Sequence, residues 1–220
     1  MIIADFETLE DLGGGYKILQ RKDGFKFGTD AVLLSDFANI KPNDNVMDLC
    51  TGTGIIPLLL HQKKKPKHIT ALEIQPQIAN MAKRSIELNN LTEDITITLG
   101  DLKEVKKMYE TNSFTVVTCN PPYMVDNTGK QNINDFKTIS RHEVMCTLED
   151  VISSSAYLLG SGGRLFMVHR PERLVDIFYL MRKYRLEPKR LEFAGGKDEP
   201  ALVLVEAQKD RKPGLKIRGC

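Results

Sequence analysis

Asp48-Leu49-Cys50-Thr51-Gly52-Thr53-Gly54-Ile55-Ile56-Pro57 is the stretch that decides the fold. It follows a short apolar run at residues 46–49, which reads as a strand, and it opens a helical pattern at 55–60 that Lys63 to Pro66 breaks. A glycine-punctuated strand-to-helix turn lets the backbone come close to a ligand, and the helix start offers free N–H groups. Working outward, strand and helix patterns alternate. Apolar or β-branched runs at 69–74, 95–99, 114–119, 164–169, 186–193 and 201–207 read as strands. Pro76 is placed to start a helix over 77–89, and Thr147 with Asp150 resembles a capping box for a helix to Leu159, closed by Gly160 to Gly163. A further helix spans 173–184. The alternation predicts a parallel sheet covered on both faces, and the last two strands, with no helix between them, read as an antiparallel pair. Such sheets bind ligands beyond the carboxyl ends of their strands.

Before this core, residues 16–20 and 25–27 flank Asp23-Gly24, a dipeptide suited to a tight hairpin turn, so a short β-ribbon is expected there. Thr29 or Asp30 then caps a helix through Ala38, with Val32, Leu33, Leu34 and Phe37 as its buried stripe. The chain of 220 residues is 41% hydrophobic and 27% charged, close to a globular average. No run of about 18 apolar residues exists, so no membrane-spanning helix is expected. The acidic N-terminus lacks the apolar core of a secretory signal, and a cytoplasmic location is expected. The net charge of +2 is uneven: residues 181–220 carry +5. Lys183, Arg185, Lys189 and Arg190 are the candidates for phosphate contact, against a simple solvated surface.

Three acidic residues stand at three successive strand ends: Asp48, Glu73 and Asp101. A carboxylate at the Glu73 position can grip two ribose hydroxyls, and Asp101 could accept from an adenine amino group. Pro57 stands where a dinucleotide site has its third glycine, and no Gly-Lys-Ser/Thr phosphate loop is present. The loop therefore suits a ligand with ribose and adenine but little negative charge.

Asn120-Pro121-Pro122-Tyr123 follows the strand at 114–119 and is the sharpest chemical signal. The prolines stiffen the turn and leave the Pro121 carbonyl free. That carbonyl and the Asn120 side-chain oxygen can accept two hydrogen bonds from one planar NH2 group. Two acceptors draw the nitrogen toward pyramidal geometry and free its lone pair for attack. Tyr123 offers a ring face on which a planar base can stack. The competing reading is a rigid turn with a packed aromatic ring.

Together, the loop from Asp48 to Gly54, Glu73, Asp101 and Asn120-Pro121-Pro122-Tyr123 resemble the S-adenosylmethionine-dependent amino-methyltransferases. The run from Gly24 to Leu34 narrows the likeness to the bacterial valine-tRNA adenine-N6 methyltransferases, which modify the purine 3′ of the anticodon. The resemblance spans about residues 16–207. It implies a Rossmann-like class I methyltransferase fold: a seven-stranded, mostly parallel α/β sheet with its last strand antiparallel and helices on both faces. One domain would fill residues 1–220, with 1–40 as an extension near the cofactor site.

The resemblance also implies roles. Asp48, Cys50, Gly52 and Gly54 would hold the methionine end of S-adenosyl-L-methionine. Glu73 and Ile74 would meet the ribose, and Asp101 and Leu102 the adenine. Asn120, Pro121 and Tyr123 would act on the target amine, Asn120 also bordering the cofactor. Lys26, Gly28, Thr29 and Asp30 would lie over the cofactor or close the pocket. Pro122, Tyr123, Arg141, Lys183 and Arg185 would contact a tRNA substrate. Neither a metal nor a membrane is implied.

The remaining signals read as bland. Four histidines, at 61, 68, 142 and 169, lack ligand spacing, and four cysteines, at 50, 119, 146 and 220, form no Cys-x-x-Cys pair. Cys50 and Cys119 read as small buried residues at strand ends. The polar segment 126–135 is expected to move, and Arg141-His142-Glu143 reads equally as a group that orders it on substrate binding and as a salt-bridged loop.

Alternatives from the same chemistry are a release-factor glutamine methyltransferase and a ribosomal-RNA guanine-N2 methyltransferase. The former usually carries an extra N-terminal helical domain, for which the 45 residues before Val46 are too few. From other classes come a nicotinamide-dependent oxidoreductase, disfavoured by Pro57, and a non-catalytic RNA-binding module.

Overall fold

The computed structural model describes residues 3–22, 28–123, 146–196 and 199–218. Two antiparallel strands come first, β1 (Glu7–Gly13) and β2 (Tyr16–Arg21), followed by α1 (Thr29–Phe37). The core then runs β3 (Asn45–Leu49), α2 (Ile55–Lys64), β4 (His68–Glu73), α3 (Pro76–Leu88), β5 (Ile95–Leu99), α4 (Val105–Met108) and β6 (Phe114–Cys119). After it come α5 (Leu148–Leu158), β7 (Leu159–His169), α6 (Leu174–Lys183), β8 (Leu186–Ala194), β9 (Leu202–Lys209) and β10 (Lys216–Arg218).

Strands β3 to β10 form one sheet in the order β10-β8-β9-β7-β6-β3-β4-β5. β3, β4, β5, β6 and β7 pair in parallel. β9 runs antiparallel to both its neighbours, β7 and β8. The sheet is therefore the mostly parallel one expected, with eight strands rather than seven. The added strand, β10, pairs in parallel with β8 at the edge and is exposed throughout, so no apolar signal marked it.

Successive strand residues face opposite ways. Val46 joins a core with Leu34, Leu58, Ile86 and Phe166, under α1, α2 and α3. Met47 joins a second with Val117, Val151 and Met181, under α5 and α6. The central strands β3 and β6 are buried on both faces, and the carboxyl ends of β3 to β7 share one edge. On that edge lie the segments starting at 50, 74, 100, 120 and 170.

The ribbon turns elsewhere than expected. Its corner is Gly13 to Gly15, three residues with φ of 78°, 59° and 85°, and Asp23-Gly24 lies outside the described residues. Three glycines accept that left-handed path without a Cβ penalty. β2 lies against α3: Leu19 N–H donates to Ser85 Oγ at 3.0 Å, and Leu19 packs with Ile78 and Met81. Helix α1 begins after Gly28 with no side-chain cap, so neither Thr29 nor Asp30 caps it. The capping box at Thr147 and Asp150 is present, with both reciprocal bonds formed. Gly160 to Gly163 belong to β7 rather than to a helix end. The short α4 was not expected. Among the described residues no helix is long and apolar enough to cross a membrane.

Candidate active site

Beyond β3 the backbone turns sharply. Cys50, Gly52 and Gly54 all take positive φ, 58°, 59° and 88°. Cys50 thus adopts the path a glycine would supply, a conformation that costs an ordinary residue about 1–2 kcal/mol. A Cβ on Gly52 would meet nothing within 4 Å, so that position faces open space, whereas one on Gly54 would touch Ala82 at 3.5 Å. Gly54 therefore lets α2 begin close against α3.

Two carboxylates frame this turn. Asp48, at the end of β3, is fully buried, and Oδ1 accepts from the Thr118 hydroxyl at 2.5 Å. Its Oδ2 has no partner among the described residues, and neither has the Thr51 hydroxyl beside it. Burial pushes the Asp48 carboxyl up to about 7, opposed by the Thr118 bond and by the nearby Thr51 hydroxyl, and aided by the charge of Glu73. Glu73, at the end of β4, is buried and holds two loops together. Its Oε2 accepts from Gly52 N–H and its Oε1 from Gln75 N–H, each at 2.9 Å. Burial raises its pKa, and these backbone bonds pull it back.

Further along the edge, Ile74 is half-buried. The Asp101 carboxylate accepts from Lys103 N–H at 2.9 Å, which places it at the start of the next short helical turn. Leu102 points its side chain into the core, so only its backbone is left for a ligand.

At the end of β6 the Asn120-Pro121-Pro122-Tyr123 turn folds back on the protein. The Tyr123 hydroxyl lies against two acceptors, Asn120 Oδ1 and Asp30 Oδ2, the latter at 3.0 Å, and shares its one proton between them. Its ring stands edge-on to His169, with centroids 5.2 Å apart, and the Arg170 guanidinium lies 5.3 Å from the ring centre. Burial, then the Asp30 charge, raises the Tyr123 pKa further, so the phenol keeps its proton. Asp30 is itself buried and accepts from Ala31 N–H through Oδ1. Pro121 is buried and Pro122 half-buried.

The structure therefore gathers Asp48, Cys50, Gly52, Gly54, Glu73, Ile74, Asp101, Leu102 and Asn120 to Tyr123 along one edge, with Gly28, Thr29 and Asp30 reaching it from α1. Lys26 and Arg141 lie outside the described residues, as does segment 126–135. Two expected contacts are not brought there. Helix α6 runs away from the carboxyl edge, so Arg185 follows its far end and pairs with Asp210 at 2.9 Å. Lys183, in the last turn, pairs with Glu149 at 2.7 Å instead. The basic charge of the last 40 residues is thus partly spent on internal ion pairs.

Two features escaped the sequence reading. His169, read as bland, is the last residue of β7 and sits in this corner at 1% exposure. Its Nδ1 accepts from Arg170 N–H at 2.8 Å, while Nε2 is buried with no partner among the described residues. Burial, with the charges of Arg173 and Arg170, pushes its pKa down to about 4, so the ring is neutral near pH 7 and carries its proton on Nε2. Its place at a strand's carboxyl end was the available signal. The cysteines, distant in sequence, also converge: half-buried Cys50 packs on the cluster that holds Cys119 and Cys146. Hydrogen bonding with Cys119 pushes the Cys50 thiol well up, and burial raises Cys119. Such thiols are inert packing groups.

The chain also resembles known proteins. The chain is 29% identical over 182 residues to a tRNA1(Val) (adenine(37)-N6)-methyltransferase from Porphyromonas gingivalis, covering 80% of this chain and 71% of that relative. It is 28% identical over 201 residues to the protein of the same name from Histophilus somni, covering 90% and 83%. Among solved structures, the tRNA m1G37 methyltransferase of M. jannaschii superposes with a TM-score of 0.64 at 17% identity, over 94% of this chain and 58% of that one. A geranyl diphosphate C-methyltransferase from Streptomyces coelicolor, solved with S-adenosyl-L-homocysteine, gives 0.62 at 12% identity, over 82% and 80%. At such identities these two establish the shared fold. The description of the methyltransferase small domain matches residues 21–178, which takes in the loop after β3, the turn after β6 and His169. With that span matched and the carboxyl edge assembled as above, the chain belongs to the methyltransferase small domain family.

Proposed function

We propose that the chain methylates the exocyclic N6 amine of an adenine in the anticodon loop of a tRNA, with S-adenosyl-L-methionine as donor. One observation carries the reading: Asn120 Oδ1 lies on the same strand edge as a buried carboxylate, Asp48, whose Oδ2 lacks a donor. The names of the adenine-N6 relatives support the substrate.

The residues fit this cofactor. An orphaned carboxylate oxygen suits a cationic ligand, and the open approach over Gly52 leaves room for one. Asp48 and the amides of the loop to Gly54 would hold the methionine end, Glu73 the ribose, and Asp101 with the Leu102 backbone the adenine. When bound, S-adenosyl-L-methionine supplies a methyl group already activated as a sulfonium substituent.

The side chains then have only to align an acceptor and exclude water. Asn120 Oδ1 and the Pro121 carbonyl accept the two amine hydrogens and orient the nitrogen lone pair. The Tyr123 phenol now satisfies Asn120 Oδ1 and gives way to that amine. The freed ring stacks on the base, which must leave its own stack to enter. Asp30 holds the phenol from the α1 side.

Labelled methyl transfer tests the reading. Purified chain, tritiated cofactor and total RNA or protein are combined, and the labelled nucleosides are identified by mass. Label in RNA as N6-methyladenosine is expected. Label in protein alone, or in guanosine, would overturn the substrate.

A further inference from the structure

His169 leaves an unusual debt in this corner. A buried N–H without an acceptor loses its hydration and gains nothing in return. The proton is fixed on Nε2 because Nδ1 is taken by the Arg170 amide at 2.8 Å. The imidazole is 1% exposed, and Nε2 has no partner among the described residues. Its neighbour is the Tyr123 ring, edge-on at 5.2 Å, whose hydroxyl rests on Asn120 Oδ1. One planar ring with a polar substituent therefore touches both Asn120, an acceptor, and the imidazole of His169, which carries an unused donor.

An aminopurine has that same layout. Its exocyclic amine is a donor, and in adenine both flanking ring nitrogens, N1 and N7, are acceptors. We infer that His169 reads the target base: Nε2–H donates to the ring nitrogen flanking the amine that Asn120 holds, once Tyr123 has moved aside. Donor to acceptor on one side and amine to paired acceptors on the other fit adenine from either flank, whereas guanine fits only through its N3 side. A guanine amine is flanked on one side by N1–H, which would meet Nε2–H donor to donor. This inference rests on the adenine reading above and adds the residue that enforces it.

Deaza bases test it. Anticodon stem-loop RNA is prepared with the target adenine intact, or replaced by 1-deazaadenine or 7-deazaadenine, and kcat and KM are measured for the unaltered chain, His169→Phe and His169→Gln. The unaltered chain is expected to lose about tenfold or more in kcat/KM on one deaza base and little on the other. His169→Phe is expected to lose a similar factor on adenine and to treat that deaza base and adenine alike. His169→Gln, which keeps an N–H donor, is expected to recover part of the discrimination. Binding of labelled cofactor at unaltered affinity checks that the variants are folded. Equal rates on all three bases by the unaltered chain, or undiminished discrimination by His169→Phe, would overturn the role of His169. No transfer to the adenine RNA by the unaltered chain would instead overturn the adenine reading itself.

Discussion

Tyr123 and Asp30, 93 residues apart, are joined by a 3.0 Å hydrogen bond from phenol to carboxylate. The bond ties the start of α1 to the turn after β6, and the same hydroxyl covers Asn120 Oδ1. Removing the hydroxyl and removing the ring should therefore do different things. Tyr123→Phe is expected to lose about 1 kcal/mol of ligand-free stability in denaturant unfolding, with kcat/KM for RNA within a few-fold. Tyr123→Ala loses the stacking face, worth about 1–3 kcal/mol, and should raise KM for RNA by one to two orders of magnitude. A Phe variant as impaired as the Ala variant would show that the hydroxyl, not the ring, serves the substrate.

Asp48 gives a pH signature. Its folded pKa of about 7 lies above the ordinary 3.8, so between these values the folded chain holds a proton that the unfolded chain has released. Ligand-free stability should fall as pH rises through that window and level off above 7. Asp48→Asn removes this component, so its melting temperature should gain on the unaltered chain from pH 4.5 to 7. The ionised carboxylate is the form that pairs with a cation. Cofactor affinity, by calorimetry, should therefore rise by up to about tenfold per pH unit from 5.5 to 7, and lose that slope in Asp48→Asn. An identical pH slope in the variant would place the titration elsewhere.

Glu73 combines two duties. Its two oxygens hold the Gly52 and Gln75 amides at 2.9 Å each. Glu73→Ala strands both, and about 2–4 kcal/mol of stability should disappear with most of the cofactor affinity. Glu73→Gln keeps one acceptor oxygen and should retain most of the stability while binding cofactor at least tenfold more weakly. Thermal unfolding beside cofactor titration separates the two effects. Unchanged cofactor affinity in both variants would remove Glu73 from the site.

Much of this layout was legible in the chain. The central strands β3 and β6 announce themselves as apolar, β-branched runs because they are buried on both faces, and Pro76 and the Thr147–Asp150 box mark helix starts by local chemistry alone. The turn after β6 was legible because the chemistry proposed for it resides in consecutive residues. What escaped depends on tertiary approach. The ribbon corner at Gly13 to Gly15 went unread because β1, Glu7–Gly13, is largely polar and carries no strand signal. β10 packs nothing, so it leaves no pattern. Lys183 and Arg185 read as unpaired charges in the sequence, and only the fold brings them to Glu149 and Asp210. His169 carries no motif: its meaning comes from Tyr123 and Arg170, which only the fold brings to it.

The central claim is that Asn120 grips the amine that receives the methyl group, and one paired measurement tests it most directly. Transfer of labelled methyl to adenine in tRNA and binding of the cofactor are measured for the unaltered chain and Asn120→Ala. The account expects the variant to lose transfer by at least about a thousandfold while its cofactor affinity stays within a few-fold. An Asn120→Ala chain that forms N6-methyladenosine at the unaltered rate would contradict it.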